Sequence, residues 1–131
     1  MKTIEEIRAH FQKDRFAAKL GIQIERAGQG EAVCSVQVTE EQKNALGRVQ
    51  GGFLFTLADF TFAVAANSRQ MGTVTLDSHI HYLAAPADGR LTAMAVPKST
   101  GGRISVYEVF IRDEHGQEVA LMTATGYRTR A

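Results

Sequence analysis

Between Val49 and Ser68 only one side chain ionises, Asp59, and it stands among Phe55, Leu57, Phe60 and Phe62. A carboxylate in such company is paired, desolvated with a raised pKa, or exposed in a cleft. One reading is a satisfied buried aspartate bonded to a neighbouring loop; the other is a base or nucleophile kept from bulk water. Eight residues upstream stands Gly51, followed by Gly52. Glycines at a helix entrance expose first-turn amides that lack an internal partner and carry the positive end of the macrodipole. No Cβ keeps a ligand's carbonyl from those amides, and an oxyanion formed from it is held more tightly than the ground state. Asn44 and Gln50 flank the pair with neutral amides, each offering donors and an acceptor. An electrophile cradle beside one isolated acid suits attack on a carbonyl.

These groups must be positioned by the elements around them. Thr3 followed by Glu6 reads as a capping box, with Ile4, Ile7 and Phe11 on one helical face. Asp14 caps a short turn over Arg15–Leu20 that Gly21 ends. From Ile22 the apolar period changes to two, and Gly28-Gln29-Gly30 joins a hairpin that continues through Ala32, Cys34, Val36 and Val38. Thr39–Val49 is polar and irregular. The span 53–68 is apolar nearly all round, which predicts a buried helix. After Gly72 come four strands: Thr73–Ala84, Arg90–Lys98, Arg103–Arg112 and Glu118–Thr129. In the first of them Val74, Leu76, Ile80 and Tyr82 alternate with Thr75, Asp77, His79 and His81. Short turns between strands require antiparallel pairing. The pattern is an α+β chain, a curved antiparallel sheet wrapped around one long buried helix with a short helix ahead of it, all in a single domain over residues 1–131.

Composition narrows the function. With 15 Lys+Arg against 14 Asp+Glu in 131 residues the net charge is +1, which argues against nucleic acid as a partner. One cysteine, Cys34, excludes an internal disulfide framework and a Cys-rich zinc site. Residues 1–20 carry Glu5, Glu6, Arg8, Lys13, Asp14 and Arg15, unlike a secretory leader. The apolar window Val49–Ala66 holds Gln50, two glycines and Asp59, and falls short of the roughly 20 apolar residues a bilayer needs. A cytoplasmic protein with no membrane partner is expected.

The run Asn44-Ala45-Leu46-Gly47-Arg48-Val49-Gln50-Gly51-Gly52, then Leu57-Ala58-Asp59, then Ala65-Ala66-Asn67-Ser68, resembles the hotdog-fold acyl-CoA thioesterases. Within them it is most similar to the phenylacetate-degradation (PaaI-type) branch of the 4-hydroxybenzoyl-CoA thioesterase-like superfamily. The likeness extends from about Phe16 to Arg128 and includes Thr75-Leu76-Asp77 and Tyr82-Leu83. It implies a homodimer, usually a dimer of dimers, with the active site between subunits. The Gly51 amide would bind the thioester carbonyl of an acyl-CoA, and Asp59 from the other subunit would attack it or activate a water. Asn44 would hold the acyl group or the water, Thr75 would orient that water, and Asp77, Tyr82 and Lys98 would lie near the substrate. The branch has histidine where this chain has Gln50; a group that only donates a hydrogen bond tolerates the change, so no limb of the pH–rate profile should come from position 50. Lys98 and Arg103 bracket the Ser99–Gly102 turn and suit the coenzyme phosphates.

The expected activity is hydrolysis of an acyl-CoA thioester, without metal or organic cofactor. Phe53, Phe55, Phe60 and Phe62 fit an aromatic pocket for a phenylacetyl, hydroxyphenylacetyl or benzoyl group and equally a core role, so the acyl group stays open. The rival is a non-catalytic acyl-CoA-binding or sensing module on the same fold, which has no need of a carboxylate at position 59. Hydratase chemistry usually pairs a histidine with the acid, and no histidine is close in sequence to Gly51 or Asp59. His79 and His81, with Asp77 at the same period, could be written as a metal pair; hydrogen bonding at a subunit seam is the plainer reading. Cys34 alternates with Val36 toward the core, away from any base.

Overall fold

The computed structural model describes residues 2–129. Thr3 Oγ1 accepts the Glu6 amide at 3.1 Å and Glu6 Oε1 accepts the Thr3 amide at 2.8 Å. That closed capping box starts α1, Ile4–Phe11, whose Ile7 is fully buried. Asp14 accepts the Ala17 amide and left-handed Gly21 (φ 81°) closes α2, Arg15–Leu20. The strands β1, Gln23–Gly28, and β2, Glu31–Gln37, meet at Gln29 and Gly30. Both turn residues have positive φ, 54° and 83°, the two-residue turn whose twist matches antiparallel strands.

A single 3-10 turn, Glu40–Gln42, interrupts the polar stretch before the long helix α3, Gly51–Ala66. The helix has the expected sixteen residues but sits two positions earlier than the span 53–68. At its start extended Gln50 (φ −69°, ψ 140°) takes the cap position, so the two glycines form the first turn, where their poor helix propensity matters least. At its end Asn67 diverts the chain. Its Nδ2 donates to the Ala63 and Thr73 carbonyls, and its Oδ1 accepts the amides of Gly72 and Thr73.

Four further strands follow: β3, Thr73–Tyr82; β4, Arg90–Ser99; β5, Ile104–Arg112; and β6, Glu118–Arg128. All six make one antiparallel sheet in the order β1-β2-β4-β5-β6-β3. Every strand touches α3, so the sheet wraps the helix. Between them Leu57, Phe62 and Val64 of α3 are buried with Cys34, Val36, Leu91, Val109, Ile111 and Met122 of the sheet. Each such side chain contributes roughly 1.5–3 kcal/mol on burial. Ala93, Ala95 and Ala124, also fully buried, let the helix approach closely.

The alternation expected for β3 is broken once. Thr75 pairs with Gly126 and Asp77 with Thr125, which leaves Leu76 as an extra residue, a β-bulge. The phase of the strand flips there, and Thr75, assigned by simple alternation to the face opposite Tyr82, shares the helix-facing side with it. The two margins of the sheet also differ. Along β1 the Arg8 guanidinium donates twice to the Ile24 carbonyl, at 2.7 and 2.9 Å, and a register shift lies between Ile24 and Arg26. Along β3, Val74, Leu76 and Tyr82 remain exposed, as does Leu83 just beyond it. Among the described residues no helix is long and apolar enough to cross a membrane.

Candidate active site

Beyond its open first turn, where Gly52 is exposed, α3 is buried except along one stripe in which Phe55, Thr56, Asp59 and Ala63 are half-buried. Asp59 points into a cleft of about 290 Å³ floored by Phe55, Phe60 and Ala63 and walled by Asp14 and Phe16. Burial pushes its carboxyl above the ordinary aspartate value, the negative charge of Asp14 adds to that, and the Thr75 hydroxyl opposes it. Thr75 Oγ1 donates to Asp59 Oδ1 at 3.3 Å. Part of the acid's surroundings is therefore apolar, and one neighbour is a small hydroxyl.

The N-terminus of α3 opens into a second cleft of about 380 Å³, lined by Asn44, Arg48, Gly51, Leu54 and Tyr82. Gln50 supplies no side-chain cap, which leaves the amides of Gly51 and Gly52 without a side-chain partner. The Gln50 side chain folds back over the helix start: a Cβ added at Gly52 would lie 3.3 Å from its Oε1. Asn44 is more committed than its residue type suggests. Its Oδ1 accepts the amides of Leu46 and Arg48, at 2.9 and 3.2 Å, which closes the loop around left-handed Gly47. Only its amide NH2 is left to meet a ligand. Tyr82 Oη donates to the Gly51 carbonyl at 3.0 Å.

The chemistry-bearing residues thus fall into two groups on one helix. Gly51 and Asp59 are eight positions apart, about 12 Å at roughly 1.5 Å of rise per residue, and the two groups face different clefts. One chain does not bring its own amide donors and its own carboxylate to a single carbonyl carbon.

The thioesterase superfamily model matches residues 46–120, more than half of the chain and both clefts' helix. The chain belongs to the thioesterase superfamily. It is a thioester hydrolase with the hotdog fold, six antiparallel strands wrapped about one long helix. It is similar to the acyl-coenzyme A thioesterase PaaI of Escherichia coli, 33% identical over 97% of this chain and 91% of that protein. The structure of E. coli PaaI, from the phenylacetic acid degradation operon, superposes with a TM-score of 0.90 over 94% of this chain and 90% of the other. A hypothetical thioesterase of Streptococcus pneumoniae with coenzyme A, 30% identical, gives 0.84 over 91% and 96%.

Within the thioesterase the expected site residues are distributed unevenly. Asn44, Gly51 and Tyr82 share one cleft with Gln50 at its edge, and Asp59 and Thr75 meet at the other. Asp77 is exposed just past the bulge and lines neither. Exposed Lys98 lies 3.6 Å from Glu108, while Arg103 donates to the Arg128 carbonyl and covers the Tyr127 ring. Both cations belong to the end of the sheet where Thr73 pairs with Arg128, opposite the end where Tyr82 meets Gly51. His79 and His81 stand with ring centroids 4.6 Å apart, and no third ligand joins them among the described residues. Sequence reasoning missed two residues beside Asp59. Asp14 shows only as a helix cap, and Phe16, 67% exposed, gives its single sign in being a large apolar residue on a turn whose buried position is Ala17.

Proposed function

We propose that the thioesterase hydrolyses acyl-CoA thioesters at a site assembled from two copies of the chain. The observation that carries this reading is the separation of Gly51 and Asp59 along α3. A second α3 running antiparallel beside the first would set the Asp59 of one copy against the Gly51 of the other, and the bare margin of β3 offers the sheet edge along which such copies would pair. The same arrangement carries one copy's Lys98 and Arg103 toward the helix end that holds Gly51 in the second, where the coenzyme phosphates would enter.

In this reading the thioester carbonyl accepts hydrogen bonds from the first-turn amides, with Asn44 and Gln50 holding the acyl oxygen or a water. Asp59 either attacks the carbonyl carbon directly or takes a proton from a water that attacks it. The resulting oxyanion is stabilised by the helix amides, and its collapse expels the coenzyme thiolate, which leaves as the thiol after gaining a proton. The direct route forms an anhydride with Asp59 that water then cleaves. Thr75 fixes the carboxylate orientation in both. No organic cofactor enters, since the coenzyme is part of the substrate. The cleft beside Asp59 suits an aromatic acyl group, because Phe16, Phe55 and Phe60 offer ring faces and edges. The similarity to PaaI and to a coenzyme A-bound relative supports the coenzyme portion.

Release of free thiol from a panel of phenylacetyl-, hydroxyphenylacetyl-, benzoyl- and short to medium straight-chain CoA thioesters tests the proposal. Asp59→Asn should lower kcat by about a hundredfold or more on the best substrate. Because burial raises the Asp59 pKa and the base must be deprotonated, kcat/KM should fall on the acid side with a midpoint above the ordinary aspartate value. Wild-type kcat/KM in Asp59→Ala would eliminate the mechanism, and saturable binding of every thioester without thiol release would favour a binding module.

A further inference from the structure

We infer that Tyr82 is a positioning residue that holds the oxyanion-donating turn of α3 in its working geometry, an inference that rests on the thioester-hydrolase reading above. The Gly51 carbonyl, which accepts the Tyr82 hydroxyl at 3.0 Å, belongs to the same peptide unit as the Gly52 N–H. A hydrogen bond accepted at one end of a peptide polarises it and strengthens the donor at the other. The contact also fixes that peptide's tilt. Two successive glycines are the most pliable backbone a chain can place at a donor site, whereas stabilising a developing charge requires donors already aimed at it. Gln50 supplies no side-chain cap to stiffen the turn.

The ring makes the same contact sterically. A Cβ added at Gly51 would meet Tyr82 Cζ at 3.0 Å and Oη at 3.2 Å, so the phenol seats directly against the Gly51 Cα. A side chain at position 51 would therefore push the phenol away from the turn by a few tenths of an ångström. The bulge at Leu76 makes this possible, because it turns Tyr82 to the side on which Thr75 holds Asp59. One strand consequently steadies both halves of the machinery, the acid through Thr75 and the amides through Tyr82. A residue that instead bound the coenzyme would act on affinity, and the two roles separate in kinetics.

The test is Tyr82→Phe in the full chain, assayed by thiol release on the best acyl-CoA, with binding of an unreactive thioether analogue of that substrate measured alongside. Loss of the hydroxyl should lower kcat about tenfold while KM and the analogue's Kd stay within about twofold. The melting temperature of the variant reports whether the fold is kept. An unchanged kcat overturns the inference, as does a raised KM or Kd at constant kcat, which would make the phenol a substrate contact. Asp59→Asn runs in the same assay. If it abolishes turnover while Tyr82→Phe is silent, the hydrolase reading stands and only this inference falls; if Asp59→Asn is fully active, both fall.

Discussion

Mixing two inactive variants gives the sharpest test of a shared site. Asp59→Asn removes the base, and Gly51→Val drives a branched side chain against the Tyr82 ring, 3.0 Å from a Cβ at that position, and so displaces the donor turn. Along α3 the two positions are about 12 Å apart and roughly 80° apart around the axis, at about 100° per residue. Reacting atoms must come within about 3–3.5 Å, so no tilt of one helix unites them. In a two-fold dimer each parent has two broken sites and should turn over at about 1% of wild type or less. A mixed dimer has one site with both defects and one with neither. Random pairing of equal amounts makes half of the dimers mixed, and activity should return to about a quarter of wild type. The assay is thiol release from co-expressed, differently tagged chains, with mixed dimers isolated by tandem affinity; the isolated fraction should reach about half of wild type. Isolated mixed dimers no more active than their parents would refute the shared site.

Three further outcomes follow from burial and packing in the fold. Because burial raises the folded-state pKa of Asp59, its favourable contribution exists below the unfolded pKa and is lost as pH rises through the folded one; Asp59→Asn should therefore melt higher than wild type near pH 7, and the gap should close by about pH 3 in calorimetry. Gly126→Ala places a Cβ 2.8 Å from Thr73 Cγ2, 2.9 Å from Ser105 Oγ and 3.0 Å from Phe62 Cζ, and should cost about 1–3 kcal/mol in urea unfolding. Cys34 is fully buried with its thiol pushed up to about 12 by burial, so native protein at about pH 8 should resist iodoacetamide and react only when denatured.

What could be read from the residues was mostly local. The Thr3–Glu6 box, the Asp14 cap with Gly21, and the Gln29-Gly30 turn each depend on a few neighbouring residues, and each forms where expected. The antiparallel sheet around one apolar helix followed from periodicity and short turns. The start of α3 did not, because a Gly-Gly pair looks like loop until extended Gln50 is found at the cap position, one residue before it. Nor did the bulge at Leu76, since one extra residue leaves the alternation of residue types intact while turning Thr75 toward Asp59. The pairing of Asp14 with the Asp59 cleft is a tertiary contact between distant segments and has no sequence spacing to betray it. The isolation of Asp59 in its helix was visible at once, and so was the count of eight residues to Gly51.

The unequal margins of the sheet govern how far such molecules can add to one another. A ribbon that accepts neighbours on both sides has no reason to stop, and its natural end is a fibre. Here Arg8 occupies the Ile24 carbonyl and a register break crooks β1, which makes that side a poor template. Of the two edges β3 is the better template, and in the proposed dimer two copies joined there by a two-fold axis would use up each other's exposed edge. In that arrangement growth through strand pairing would end at two, and anything that bared β1, such as Arg8→Ala, would open a route to continued polymerisation.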